Sequence, residues 1–466
     1  MRLTIWRRTG TPTIVPLPGG EGRQMTNRRL AFEKSKEFGR RLERLVPGGA
    51  HTYSKGRDQF PLEAPNGIVR GRGARVWDAD GNELVDWSMG LTSVGLGHAD
   101  ERVNAAVVEE IARGVNFQRP GRIELEAAEA FLAFAGTDMV KFAKHGSSVT
   151  TAAVKLARAF TGREIVAVPR QQPFFSFDDW FIGTTPVDLG IPDELKRFTL
   201  LFDYGDLAGL EALFDANPGR IACVMLEPVK FDPPPPGFLE GVRRLCTDRG
   251  AVLVLDEMVT GTKWAVPGAS AYFGVEADLY TYGKGIANGF AATALTGRRE
   301  IMDLGGLEPE GARKLFLLST THGSESSGLA AMIATLGILR DGEAICANWG
   351  RGEEMRRRLD AVTARHGLSD MIAVRGYPCM MAADLRGPDG RPDDRFRTLF
   401  LQEMIAAGVL FQGLFVPTPA HGEAELSDTE IAWDRACAAY ARALEAGSVE
   451  GLLVGPPTKP VFRRYV

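Results

Sequence analysis

Two acids close an apolar run at Val252-Leu-Val-Leu-Asp-Glu257, and a lysine between glycines, Gly283-Lys284-Gly285, follows another short run, Leu279–Tyr282. A carboxylate and an amine so placed can form a structural ion pair, because buried charges need partners whatever their role. They can equally be the charged ends of a cofactor site. Spacing alone leaves both open. A second cluster, Lys144-His-Gly-Ser-Ser-Val-Thr-Thr151, leads into Ala152-Ala-Val-Lys-Leu-Ala-Arg-Ala-Phe160. Free backbone N–H groups, hydroxyls and a helix dipole at such a start suit an anion such as phosphate. The same residue types also serve as an ordinary helix cap.

The elements that must position these residues are readable from periodicity. Fully apolar runs at Ile165–Val168, Ile221–Leu226 and Ala251–Leu255 alternate with amphipathic helical stretches between about residue 100 and 340. That pattern predicts an α/β fold built from βαβ units, with a mainly parallel sheet covered on both faces. Ligands in such sheets sit beyond the carboxyl ends of the strands, where the acids and the lysine fall. After Gly342 the pattern becomes a helix, then irregular β with a Gly-Pro-rich turn at Arg386–Pro392, then a final helix over Asp428–Ala446. This predicts a smaller α+β domain over residues 342–466, beside a large domain over 86–341. Residues 26–85 carry a helix from Asn27 to Val46, stopped at Pro47-Gly-Gly49, and a hairpin over Ala74–Trp87 turning at Asp80-Gly81; they are expected to join the small domain. Residues 1–25 read as an arm. Asp78-Ala-Asp-Gly81 matches part of a calcium loop, but the downstream bidentate Glu is missing, so a turn is the stronger reading.

Composition narrows the function. The 466 residues are 44% hydrophobic and 24% charged, with Lys+Arg 55 against Asp+Glu 59 and a net charge of -4. This argues against nucleic acid or an anionic membrane as partner and favours small molecules. Cys223, Cys246, Cys346, Cys379 and Cys437 form no CxxC pair, which fits a reducing, cytoplasmic setting without disulfides or zinc. No export signal or membrane-length apolar run is evident, and no metal site is expected, since His98, His322 and His421 have no ligand spacing. Gly71-Arg-Gly73 and Gly95-Leu-Gly97 lack the third glycine of a dinucleotide fingerprint, which leaves a nucleotide-dependent oxidoreductase little support.

Taken in order, the anion-loop helix, Pro173-Phe-Phe175, Leu226-Glu-Pro228, Leu255-Asp-Glu-Met-Val-Thr-Gly261 and Gly283-Lys284-Gly resemble the class III pyridoxal-phosphate aminotransferases. Val46-Pro-Gly-Gly49, Leu96-Gly-His98, Leu156-Ala-Arg-Ala-Phe-Thr-Gly-Arg163 and Tyr272-Phe-Gly-Val275 resemble the glutamate-1-semialdehyde 2,1-aminomutase branch in particular. The resemblance covers roughly residues 40–445 and implies the fold type I of pyridoxal-phosphate enzymes, with a homodimer whose active sites are shared. It implies pyridoxal 5'-phosphate (PLP) as cofactor, cycling through pyridoxamine 5'-phosphate, and a small-molecule amino donor and carbonyl acceptor as partners. Lys284 is then the Schiff-base lysine and proton carrier, and Asp256 the partner of the pyridinium nitrogen. Gly146, Ser147 and Ser148 would hold the phosphate, with Thr321, or equally its neighbour Thr320, reaching in from the partner subunit. Phe174 stands at the stacking aromatic's position, Met258 against the opposite ring face, and Glu227 near the ring oxygen.

Departures from that branch fall at the substrate positions. Lys55 stands where the semialdehyde mutases carry a carboxylate-binding Arg, Leu91 in place of their Trp, and Gly413 in place of a Glu. Arg and Lys are not equivalent for two-point carboxylate recognition. An aminotransferase acting between separate donor and acceptor is therefore the leading expectation, with the intramolecular 2,1-aminomutase as the alternative. Arg119, Arg122 and Lys263 are further candidate carboxylate or phosphate clamps, although base rates favour a surface or ion-paired place for each.

Overall fold

The computed structural model describes residues 30–307, 314–459 and 461, so the arm over 1–25 lies outside the described residues. Its centre is a seven-stranded sheet of β4 (Met139–Ala143), β5 (Ile165–Pro169), β6 (Thr199–Phe202), β7 (Ile221–Leu226), β8 (Val252–Asp256), β9 (Leu279–Tyr282) and β10 (Thr293–Gly297), preceded in the chain by β1 (Ile68–Arg72), β2 (Arg75–Asp78) and β3 (Glu83–Asp86). The strand order is β4-β10-β9-β8-β7-β5-β6. Only β10 runs against its neighbours, β4 and β9; the other pairs are parallel.

Alternation along each strand divides the core in two. Val166, Val168, Cys223, Met225, Val252 and Val254 pack on Val149, Ala152, Ala153 and Leu156 of the helix Gly146–Thr161. Ile165, Ala167, Val224, Leu226, Leu253 and Leu255 face the other way, onto Leu210, Phe238, Val242 and Leu245 of the helices Leu207–Ala216 and Phe238–Arg249. Successive side chains of a strand point to opposite faces, so a strand buried on both sides must be apolar throughout. The helix Gly146–Thr161 ends at Gly162, whose φ of 66° gives the left-handed C-terminal stop that a side chain resists.

The remaining strands lie in two smaller sheets. Strands β1, β2 and β3 form an antiparallel meander, and β13 (Val409–Leu410) adds to β3 in parallel; β11 (Ile372–Tyr377), β12 (Met380–Leu385) and β14 (Leu414–Phe415) form the other. The β2–β3 turn is held by Asp78, whose Oδ1 accepts from the backbone N–H of Asp80 at 3.0 Å and Asn82 at 2.8 Å. Trp87 and Val85 pack with Phe400, Phe411, Trp433 and Tyr440 in one core that includes the helices Asp394–Ala406 and Glu423–Ala446. This last helix starts five residues before the expected Asp428, because Glu425 reaches back to the N–H of Gly422 at 2.9 Å and closes the first turn. At the other end, the helix expected from Asn27 to Val46 occupies Glu33–Glu43 among the described residues.

Candidate active site

Asp256 ends β8, Glu227 follows β7, Lys284 follows β9 by two residues, and Gly146 opens the helix after β4. Four strand ends and one helix start thus converge where the sheet order places β4, β9, β8 and β7 nearly side by side. The start of β10 fills the remaining gap, with Thr293 Oγ1 donating to the carbonyl of His145 at 3.3 Å.

Asp256 is buried, and its Oδ1 accepts from the N–H of Met258 at 2.9 Å and the hydroxyl of Thr281 at 3.0 Å. Burial, and then the charge of Glu227, push its carboxyl up to about 7, against the opposing pull of Lys284 and the two donors. Lys284 is pushed the other way, below the usual lysine range, by burial; Asp256 and Glu227 oppose the shift. Among the described residues no ion pair or hydrogen bond engages the Lys284 ammonium, so the structural ion pair that spacing allowed is not formed. Lys284 also sits at φ 48° and Asn288 at φ 43°, in the left-handed region that non-glycine residues rarely adopt. Strained backbone of this kind persists where surrounding structure fixes it, and it concentrates at functional sites.

The helix start leaves backbone donors uncapped. His145 gives no side-chain cap; its carbonyl accepts from the N–H of Ser148 at 3.1 Å, while helix geometry offers the N–H groups of Gly146 and Ser147 no partner within the helix. Ser147 is buried, its Oγ accepting from the N–H of Phe177 at 3.0 Å, and Ser148 is half-buried beside it. Thr150 Oγ1 donates to the carbonyl of Phe175 at 2.8 Å, tying the aromatic loop to this turn. In that loop Phe175 is core, whereas Phe174 is 48% exposed and touches Phe181 edge-on, so Phe174 is not a core residue. Met258 is buried between two glycines. A Cβ on Gly146 would come within 3.2 Å of its sulfur, and one on Gly283 within 2.5 Å. A side chain at 283 would have to displace Met258 and Thr293.

Glu227 is held on both sides: its N–H and C=O pair with the side-chain amide of Gln172, each at 2.8 Å, and its carboxylate lies 3.7 Å from Lys230. The second acid of the strand-end pair, Glu257, is structural; its carboxylate accepts from the N–H groups of Ala269 and Ser270 at 3.1 and 2.7 Å. Thr321 is exposed, and within one chain no hydrogen bond among the described residues joins it to this cluster; its carbonyl accepts from Asn116 Nδ2 at 3.1 Å.

Of the substrate positions, Lys55 and Leu91 come together on a cavity of about 490 Å³ whose walls include Phe60, Asp86, His98 and Gln412, the neighbour of Gly413. Leu91 belongs to the turn Met89–Thr92, in which all four residues are left-handed, φ 44°, 62°, 58° and 70°. Each non-glycine residue there costs about 1 kcal/mol or more. Arg119 is exposed and Arg122 pairs with Glu110 at 2.9 Å. Lys263 departs from the expected surface or ion-paired place. It is buried, and its Nζ donates to the carbonyls of Thr92 at 3.1 Å and Val259 at 3.0 Å. Sequence reasoning also missed Thr281, Gln172 and Asn288, polar residues that no local pattern marks.

Comparison with known proteins places this geometry. The model of the family "Aminotransferase class-III" matches residues 56–204 and 205–416. A glutamate-1-semialdehyde 2,1-aminomutase of Aeropyrum pernix is 30% identical over 84% of this chain and 95% of its own. The corresponding protein of Methanothrix thermoacetophila is 34% identical over 74% and 78%. Among solved structures, the PLP internal aldimine form of Sphingopyxis sp. MTA144 FumI protein superposes with a TM-score of 0.81 at 27% identity, covering 89% of this chain and 98% of that one.

Proposed function

From the premise that this chain belongs to the class III aminotransferases, a family of PLP-dependent enzymes, we propose that it moves an amino group from an amino donor to a keto or aldehyde acceptor through Lys284. The observation that carries this is the uncommitted Lys284 amine, lowered in basicity and placed at the strand ends with the raised carboxyl of Asp256. An amine that has lost its proton is the nucleophilic form.

The residues fit the cofactor. The free N–H groups of Gly146 and Ser147, with the hydroxyl of Ser148, would hold its phosphate, and Asp256 would keep the ring nitrogen protonated. Phe174 and Met258 would cover the two ring faces, and Glu227 would lie near the ring oxygen. PLP, when bound, supplies an electron sink for the carbon that carries the amine. Lys284 would hold the cofactor through its Nζ and, once displaced by the incoming amine, would move a proton at that atom. Loop residues 174–177, tied to the helix start through Thr150, help exclude water.

In this reading the chain works as a homodimer in the cytoplasm, with Thr321 completing the partner's phosphate site; its exposure in the single chain supports this. Residues 86–341 form the cofactor domain, and 342–466 with 26–85 the smaller one, as the β3–β13 pairing supports. Among the described residues no helix is long and apolar enough to cross a membrane. The names of the curated relatives favour the 2,1-aminomutase as a second reading, while Lys55 and Leu91 weigh against it.

The test is the visible spectrum of the purified protein and of Lys284→Ala, before and after a panel of amino donors, with keto product assayed. A wild-type band that bleaches with matching keto product supports the transaminase. A band that ignores every donor while an amino-aldehyde is isomerised supports the mutase, and failure to take up PLP at all overturns both.

A further inference from the structure

The loop that follows β7 is fixed residue by residue, with one side chain left over. Glu227 has its backbone N–H and C=O taken by the buried amide of Gln172, so that a side chain carries the β5–β7 pairing one step past the end of the ladder. Pro228 offers its carbonyl to Tyr204 Oη at 2.5 Å, and Val229 is fully buried in the cluster that contains Trp264 and Met380. Further on, Phe231 packs against the same cluster with the Arg375 guanidinium 5.4 Å from its ring, and Asp232 pairs with Arg375 of β11 at 2.7 Å.

The side chain left over is Lys230. Among the described residues its one ion-pair partner is Glu227, at 3.7 Å, which is beyond hydrogen-bond reach. The lysine side chain is 34% exposed and that of Glu227 only 7%, so the amine is reachable while the acid that directs it is not. A loose, half-exposed pair of this kind contributes little to stability. The rigid frame around it therefore serves to place an amine.

Register shows where that amine stands. Leu226 of β7 lies beside Leu255 of β8, so one step on Glu227 neighbours Asp256; Asp256 in turn lies beside Thr281 of β9, three residues before Lys284. Consistent with this placement, Lys230 is the cation that acts on the Lys284 amine, against the opposite pull of Asp256 and Glu227. Lys55, at the position where the semialdehyde mutases bind a carboxylate, is by contrast exposed on the cavity wall, and among the described residues no acid pairs with it.

Resting on the aminotransferase reading above, we propose that Lys230 is a specificity-determining residue: it takes a carboxylate carried by the amino donor or acceptor, and Glu227 keeps it aimed at the site until that carboxylate replaces the acid as its partner. A lysine is a compact charge on a flexible stem, suited to one-point contact with a carboxylate. The favoured substrates are then those whose carboxylate and reacting group span the gap between Lys230 and Lys284.

The experiment takes full-length, PLP-loaded protein and a series of ω-amino acids from β-alanine to 6-aminohexanoate, each beside the alkylamine of the same length. Loss of the visible band gives kcat/KM for each donor. The ratio of amino acid to alkylamine reads the carboxylate contact alone, since general damage to the site divides out. The wild type should favour the amino acid at one or two lengths, and Lys230→Met should cut that ratio roughly tenfold or more, the scale of one charge-assisted hydrogen bond. Lys230→Arg should keep most of it, and Lys230→Gln stands in where the methionine variant does not fold. A wild type without preference, or a ratio that survives in both uncharged variants, would overturn the proposal. Loss of the ratio in Lys55→Met instead would overturn it as well, by giving the anchor to the cavity wall. A second readout needs no cofactor: the rise in melting temperature that glutarate, but not its neutral diamide, gives to cofactor-free protein should shrink in Lys230→Met, and an unchanged rise would count against Lys230. Failure of the wild type to take up PLP would overturn the reading beneath, while the glutarate comparison would still report whether Lys230 binds a carboxylate.

Discussion

The strand ends around Lys284 and the core around Trp433 solve opposite problems. At the strand ends charges are buried with few partners: Asp256 has two donors on one oxygen, Lys284 has no ion pair among the described residues, and Lys263 rests on carbonyls. Around Trp433 polar atoms are satisfied and rings are packed, with Trp433 Nε1 donating to Thr363 Oγ1 at 3.0 Å and its ring 4.6 Å from Phe400. Nearby charges are also answered, Arg75 forking onto Glu425 at 2.7 Å and Asp428 at 2.8 Å. One region carries displaced protonation and strain, both of which cost stability. The other supplies stability and asks for no chemistry.

That division can be broken by mutation, beginning with the largest effect. Lys284→Ala should lower turnover by about 10³-fold or more, the scale of losing a catalytic proton carrier, with melting temperature unchanged or raised because a buried amine has gone. Asp256→Asn should lower turnover by about 10²-fold and leave the protein at least as stable near neutral pH. Trp433→Ala should do the reverse, costing about 3–5 kcal/mol in a denaturant titration while kcat per folded molecule is retained. A kcat defect there, or a large loss of melting temperature in Lys284→Ala, would show that the two regions are not separable.

A pH series sharpens the contrast. The folded carboxyl of Asp256 is raised to about 7 from the ordinary 3.8, so the native state holds a proton that the unfolded chain releases. Its contribution is fully present below about pH 4 and is lost as pH rises to 7. For Lys263, lowered to about 7 from 10.5, the unfolded chain holds the extra proton, so its contribution is least below pH 7 and grows as pH rises to 10.5. Cofactor-free protein should therefore show a local minimum of stability near neutrality from this cluster. Asp256→Asn should flatten the acid limb and Lys263→Met the alkaline one, as read by melting temperature. The smallest effect is expected from Asp428→Asn, which loosens one arm of the Arg75 fork and should cost under about 1 kcal/mol, with no change in kcat.

What could be read in the sequence follows the same line. Strands β5, β7 and β8 were legible because burial on both faces demands unbroken apolar runs, and β9 from the short run Leu279–Tyr282. The hairpin was legible because Asp80-Gly81 marks its turn. Strands β4 and β10 were not: Met-Val-Lys-Phe-Ala and Thr-Ala-Leu-Thr-Gly carry a lysine and two threonines, and their pairing is a matter of tertiary context. At the site, Lys284, Asp256 and the helix start were marked by composition around strand ends. The turn Met89–Thr92 was not, since methionine, leucine and threonine do not advertise left-handed backbone. Lys263 was misplaced for a related reason, as a base rate for lysine describes the average lysine and not one held by two carbonyls.

The reversed strand β10 bears on how the chain is made. β4 lies at the edge of the central sheet, and its strand partner is β10, whose register joins Ala143 to Thr293 and Met139 to Gly297. A nascent chain that has emerged only as far as β9 can pair every other strand of the sheet, yet must leave β4, and the helix start it leads to, without its ladder. Contacts so distant along the sequence close late and slowly. Synthesis therefore completes the proposed phosphate cradle only after Lys284, proposed to work beside it, has already been delivered.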